Sequence, residues 1–199
     1  MPCSGHPVSA RSLNVTVTNN AVISVALGYV EANPDDVDLI RSLIVLALHG
    51  PSIIARDTTP AHVTCRAAIV SPDWRVLEVR DAPSSSWQLP TGHLEVDDAS
   101  LLGAALGLAS RRGGVDPNMV ILDGIVPVDV DATIAPAVPV LGEPEHVHYN
   151  VTYLFHVEDR DLAVSDARAH AVRWVDPATI PGQLGTRLVR MSREARLVR

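Results

Sequence analysis

The chain has 199 residues, 47% of them hydrophobic and 20% charged, and a formal net charge of −7. That length fits one domain with a substantial buried core. The acidic balance argues against general nucleic-acid binding, which needs a basic surface, while leaving room for a local basic pocket that takes a small anion. All of the 16 basic residues are Arg, so the Lys amine that a Schiff-base mechanism needs is missing. Aromatic residues make up only 4%, too few for base-stacking platforms.

Cys3 and Cys65 make neither a metal knuckle nor a disulfide framework. Cys65 lies in an apolar strand pattern and reads as a small core residue. The longest apolar run, "LIVLALHG", is too short to span a bilayer. The start, "MPCSGHPVSAR", lacks the basic and apolar regions of a signal peptide. The expected setting is cytoplasmic, with a small-molecule ligand and with neither nucleic acid nor membrane as a partner.

In chain order, residues 1–12 read as loosely held, and residues 1–34 as an N-terminal extension. Within it, "LNVTVTNNAVISVALGYV" predicts two β-rich segments broken at Asn19-Asn20, a pair that tolerates the positive φ of a hairpin turn. Such a hairpin could serve as the arm of a homodimer. Residues 35–199 form the main domain. "NPDDVDLIRSLIVLALHG" predicts a helix, with Asn33 or Asp35 as its cap and Gly50-Pro51 as its stop. "HVTCRAAIVSP" and "RVLEVRD" predict strands on either side of a turn at Ser71-Pro72-Asp73. The loop "APSSSWQLPTGH" leads into a helix within "TGHLEVDDASLLGAALGLASRRGGV". Beyond it, "MVILDGIVPVDVD" and "HVHYNVTYLFHVE" are rich in strand formers, and "AHAVRWVDPATIP" gives a short strand and a turn. "LGTRLVRMSREARLVR" predicts a closing amphipathic helix. Interleaved strands and helices, with too few helices for a doubly wound sheet, predict an α/β or α+β layer fold with a mixed sheet.

The order strand, turn, strand, W-x-L-P-x-G-H, helix, G-hydrophobic resembles the Nudix hydrolase superfamily. The matching residues are Trp87, Leu89, Pro90, Gly92, His93, Glu95 and Asp98, then Gly114-Val115. "PEHVHYNVTYLFHV" and "VSDARAHAVRWVDPATIP" are similar to elements that follow the motif in one Nudix branch, so the resemblance spans residues 35–182. It implies a Nudix-like α/β/α sandwich with a mixed β-sheet. The family's box is G-x5-E-x7-R-E-U-x-E-E-x-G-U. Gly92 fits its first glycine and Asp98 its first acid. With one extra helical residue, Gly107-Leu108 fall on R-E and Arg111-Arg112 on E-E; without it, Leu106-Gly107 and Ser110-Arg111 do. In either register the acids are missing, and the box is degenerate.

In the family those acids hold Mg2+ or Mn2+ against a pyrophosphate. Residues 108, 111 and 112 project from one helix face. A hard cation needs oxygen ligands there, and two guanidinium groups would repel it. The expectation is therefore chemistry without a metal or other cofactor. Arg111 and Arg112 either complement the helix dipole beside a Gly C-cap or clamp an anionic ligand bidentately. Trp87 and Gly92 join them as expected ligand-binding positions. Glu95 and Asp98 either cap the helix or join His93, His146 and His148 in a cluster for acid–base work or, as a weaker reading, for a transition metal. His146 and His148 alternate on a strand and so share a face. A solvated strand face is the plain alternative for them.

Asp123, Asp129 and Asp131 read as turn and edge residues. Arg187, Arg190, Arg193 and Arg196 read as one wet face of the closing helix, with an acidic partner as the alternative. His62 has no partner that the sequence names. Three functions stay open. The first is a diverged Nudix-superfamily enzyme acting on a small polar or phosphorylated metabolite by His/carboxylate chemistry. The second is a non-catalytic ligand- or partner-binding module. The third is a diphosphate hydrolase with metal ligands relocated to Glu95, Asp97 and Asp98.

Overall fold

The structure, a computed structural model, describes residues 16–80, 86–160 and 171–197. The segment at 1–12, with Cys3, part of the stretch expected as a loop from Ala82, and the start of the stretch expected as a strand from Ala169 lie outside the described residues.

Two long strands form the spine. β1 (Ala61–Val70) and β7 (His146–Val157) run parallel, from Ala61 opposite Val147 to Val70 opposite His156. β1 is rich in Val, Ile and Ala, and β7 in Val, Tyr and Phe, as suits strands covered on both faces. Beside β1 lie β2 (Val76–Arg80), β3 (Trp87–Gln88) and β4 (Thr91–Gly92). β5 (Val120–Leu122) and β6 (Asp129–Ala135) pair with the other edge of β7, and β8 (Val172–Val175) pairs with β2. The result is an eight-stranded mixed sheet.

Among the described residues four helices cover it: α1 (Asn19–Ala32), α2 (Val37–His49), α3 (Leu101–Gly113) and α4 (Gly182–Leu197). The odd-numbered β1 residues Val63, Cys65, Ala67 and Ile69 join Val151, Tyr153 and Phe155 of β7 in one core with α3 and the α1–α2 pair. The even-numbered Ala68 and Val70, with Leu154, pack under Ile180 and Leu184 and Leu188 of α4. Helices on both faces of a mixed sheet make the expected α/β/α layering. Yet α4 covers only the far end of its face. Toward the start of β1 and β7, that same face carries His62, Thr64 and Arg66 beside His148, Asn150 and Thr152.

The expected hairpin at Asn19-Asn20 is instead the start of α1. Thr18 caps it by accepting the Ala21 N–H. Asn19 makes no turn; its side chain donates to the carbonyls of Ala47 and Pro51 and accepts the Ile53 N–H. Val22, Ala26 and Tyr29 are buried in the main core. Burial of this face overrides the weak helix propensity of its β-branched residues.

α3 is delimited locally, as the sequence suggests. Gly114, at φ 67°, closes it with a left-handed cap. Ser100, not Glu95 or Asp98, caps its start by accepting the Gly103 N–H at 2.9 Å. Ser100→Ala should cost about 1 kcal/mol in chemical denaturation, with the fold retained.

Candidate active site

Four histidines from three segments converge at the start of the spine. His62 stands on β1, His146 and His148 on β7, and His93 follows β4. The parallel register sets His62 opposite His148. β4 pairs with β1 at Cys65 opposite Gly92, which brings the next residue, His93, to the same place. The rings of His62, His146 and His148 form a near-equilateral triangle, with centroids 4.7, 4.7 and 4.8 Å apart. The His93 ring lies 5.0 Å from His62 and 5.2 Å from His148. Nε2 of His93 is 3.0 Å from Nε2 of His62, and Nε2 of His146 is 2.9 Å from Nε2 of His148.

Backbone carbonyls set two of the tautomers. Nδ1 of His62 lies 2.9 Å from the Thr58 oxygen, and Nδ1 of His146 lies 2.7 Å from the Pro144 oxygen. A carbonyl can only accept, so each Nδ1 carries a proton and the neutral ring keeps its lone pair on Nε2. Both lone pairs point into the cluster. Burial, and then the charge of neighbouring His62, pushes both His93 and His148 down to about 4. Burial also lowers His62. The His62, His93 and His148 rings are packed too closely to carry charge together.

A polar row continues from the cluster along the same sheet face. Asn150 donates to Asp131 at 2.6 Å and to Thr133 at 3.0 Å, and accepts from the Thr64 hydroxyl at 2.7 Å. Arg66 pairs with Asp131. Beyond it opens a cleft lined by Arg66, Glu78, Trp87, Gln88, Thr91 and Asp131 and closed by Ile180 and Leu184. Arg173 holds Glu78 at 2.7 Å and stacks 4.4 Å over the Trp87 ring. At the far end Asp129, only 2% exposed, binds Arg187 at 2.8 Å, and Asp36 binds the same guanidinium at 2.6 Å.

The structure thus brings His93, His146 and His148 together and adds His62, for which sequence reading named no partner. Trp87 lines the neighbouring cleft. Glu95 is exposed, and the Asp98 carboxylate is spent on the Glu95 N–H at 2.7 Å. Asp97 is exposed too, and among the described residues the trio Glu95, Asp97 and Asp98 makes no converging ligand set. Gly92 serves packing: a Cβ there would stand 2.6 Å from Leu108 Cδ2. The Arg111 guanidinium folds back over Gly107, and Arg112 is half-buried beside the helix cap. Neither arginine lines the cleft.

Two further expectations are corrected. Asp129 and Asp131 are not turn residues: they lie on β6, an edge strand beside β7 among the described residues, and their side chains join the polar row, with Asp129 opposite Thr152. Arg187 does not share one wet face with Arg196. A step of three residues turns a helix by about 300°, so three such steps bring the side chain to the opposite face. Arg187 faces Asp129 while Arg190, Arg193 and Arg196 are exposed. Among the described residues no helix is long and apolar enough to cross a membrane.

A mixed-sheet α/β/α protein with an imidazole cluster at one strand end is what the fold and the site define. No family model matches the chain, and no curated protein does. Solved structures do match. An Ap4A hydrolase from C. elegans in a binary complex is 13% identical, covering 67% of this chain and 97% of its own, at a TM-score of 0.49. A hydrolase of the NUDIX family from Clostridium perfringens is 16% identical, covering 69% and 98%, at 0.47. The NUDIX domain of NrtR from Shewanella oneidensis, complexed with ADP ribose, is 17% identical, covering 68% and 87%, at 0.43.

Proposed function

We propose that the protein is a diverged Nudix-type enzyme that acts on a small polar or phosphorylated metabolite, with its chemistry at the histidine end of the β1–β7–β6 face and not on α3. One observation carries this reading: imidazoles from three separate chain segments meet at the head of a polar row that leads into the cleft of Arg66, Trp87 and Asp131. α3, Leu101–Gly113, holds no acid at all, so it has no oxygen ligands to offer a hard cation. The His93 imidazole suits proton transfer at the cluster, and the guanidinium of Arg66 suits an anionic group.

The test is a panel of nucleotides, sugar phosphates and small acids, scored by thermal stabilisation and by turnover. The productive compound should lose about 100- to 10,000-fold in turnover with His148→Ala and should bind more weakly to Arg66→Ala. Arg111→Ala should match the parent in both. Turnover that survives in His148→Ala and His93→Ala alike would defeat the assignment. Turnover that requires Mg2+ and is lost in Asp98→Asn would move the chemistry back to the loop before α3. Stabilisation without turnover across the panel would leave a ligand-binding module.

A further inference from the structure

From the geometry of the cluster we infer that His62, His146 and His148 form a binding site for one divalent transition-metal ion of the zinc class. This rests on the reading above for where the site lies, and it replaces the expectation of metal-free chemistry drawn from the degenerate box.

Three features support it independently. Each of the three residues can present one nitrogen such that all three nitrogens lie within 4.8 Å of one another. Imidazoles bonded at about 2.0–2.1 Å to a common ion stand within such a distance. The Nδ1–H groups of His62 and His146 are tied to the carbonyls of Thr58 and Pro144. That is the supporting arrangement that orients a ligating histidine and leaves Nε2 for the metal. Burial adds a third point, since His62 is 1% exposed and His146 8% exposed. Such burial limits the solvent that would otherwise compete with an ion for the nitrogens.

The donor set selects the ion. Neutral imidazoles suit Zn2+, Cu2+, Ni2+ or Fe2+ and not Mg2+ or Ca2+, which demand oxygen. Three protein ligands leave a coordination position open, as in catalytic zinc sites. His93, half-buried, lies beside the trio, with its Nε2 3.0 Å from that of His62. The Arg56–Glu143 ion pair, 2.9 Å long, lies close enough for both its charges to act on His62 and His93. The metal site is thus built on the sheet's parallel strands, on the opposite sheet face from α3.

The experiment uses the full chain without an affinity tag, stripped with EDTA and titrated with Zn2+ by calorimetry and with Co2+ by visible absorption. One ion per chain should bind, with the intense d–d bands of low-coordinate Co2+. His148→Ala should weaken binding by more than about 100-fold, beyond what loss of a supporting hydrogen bond accounts for. His146→Ala serves as a second variant if the first is unstable, and stability is checked in EDTA. His49→Ala, on the exposed end of α2, should bind as the parent does. His93→Ala should keep one ion per chain. Absence of stoichiometric Zn2+ and Co2+ binding, or binding that both His148→Ala and His146→Ala leave unchanged, overturns the site. Loss of binding in His93→Ala overturns the three-ligand assignment. None of these readouts depends on turnover, so a metal without a reaction, or a reaction without a metal, separates this proposal from the function above.

Discussion

Arg187→Met should unfold with a loss of about 3–5 kcal/mol at neutral pH, the cost of stripping a buried carboxylate of its partner. Arg187 bonds to Asp36 at 2.6 Å, Asp129 at 2.8 Å, the Val128 carbonyl at 3.0 Å and the Tyr29 hydroxyl. It therefore ties α4 to β6, to α1 and to the turn before α2. The deficit should also depend on pH. Burial pushes Asp129 up to about 6, with the charge of Arg187 opposing the shift. Between the unfolded value near 4 and about 6, the folded protein holds more protons than the unfolded chain. The stability contributed by Asp129 therefore falls as pH rises through that window.

Without Arg187 the folded-state value climbs further, and the window extends upward. Asp36 moves the same way. Burial raises it, but hydrogen bonds from Tyr29 and Arg187 hold it below its usual value, and the variant loses one of them. The variant's deficit should thus be smaller at about pH 5 than at about pH 8. Urea midpoints across that range measure it, and a deficit that grows on acidification would refute the network as described.

Gly185→Ala should cost about 3 kcal/mol and loosen the cleft at the same time. A Cβ at Gly185 would lie 1.9 Å from the Ile180 carbonyl oxygen and 3.3 Å from that of Pro177. Both are backbone atoms of the turn that delivers the chain into α4, so neither can swing aside. Relief requires lifting the first turn of α4, which pulls Leu184 and Leu188 off Ala68, Val70 and Leu154. Ile180 and Leu184 also close the cleft beside Arg66, so ligand affinity should fall along with the melting midpoint. Gly28→Ala in α1 is the contrasting variant. A Cβ there meets nothing within 4 Å, and removing a helical glycine should add up to about 1 kcal/mol. Equal melting midpoints for the two variants would show that the α4 turn tolerates what the geometry forbids.

Much of the fold was readable locally. The β1–β2 pair around Ser71-Pro72-Asp73, the stop of α2 at Gly50 and the left-handed cap of α3 at Gly114 each follow from the conformational limits of a few adjacent residues. So does the loss of acids along α3, which is a statement about side-chain chemistry at fixed helical spacing. The common face of His146 and His148 follows from the two-residue period of a strand.

His62 shows what local reading could not supply. Its place in the cluster depends on β1 and β7 running parallel, in the register that sets Ala61 opposite Val147. That register joins residues 86 positions apart, and a shift of one would turn every side chain to the other face. Asp129 and Arg187 depend likewise on where β6 and α4 dock. α1 stands where a hairpin is expected because Asn19 and the β-branched run around it satisfy turn and strand preferences locally, while burial of Val22, Ala26 and Tyr29 outweighs those preferences. By itself, then, the sequence determined which elements form where backbone and side-chain limits act between neighbours, and that α3 carries no acid. Tertiary structure alone decided that four imidazoles meet and that one arginine of an apparently wet helix turns inward to Asp129, because long-range pairing and docking choose faces and partners that adjacent residues do not encode.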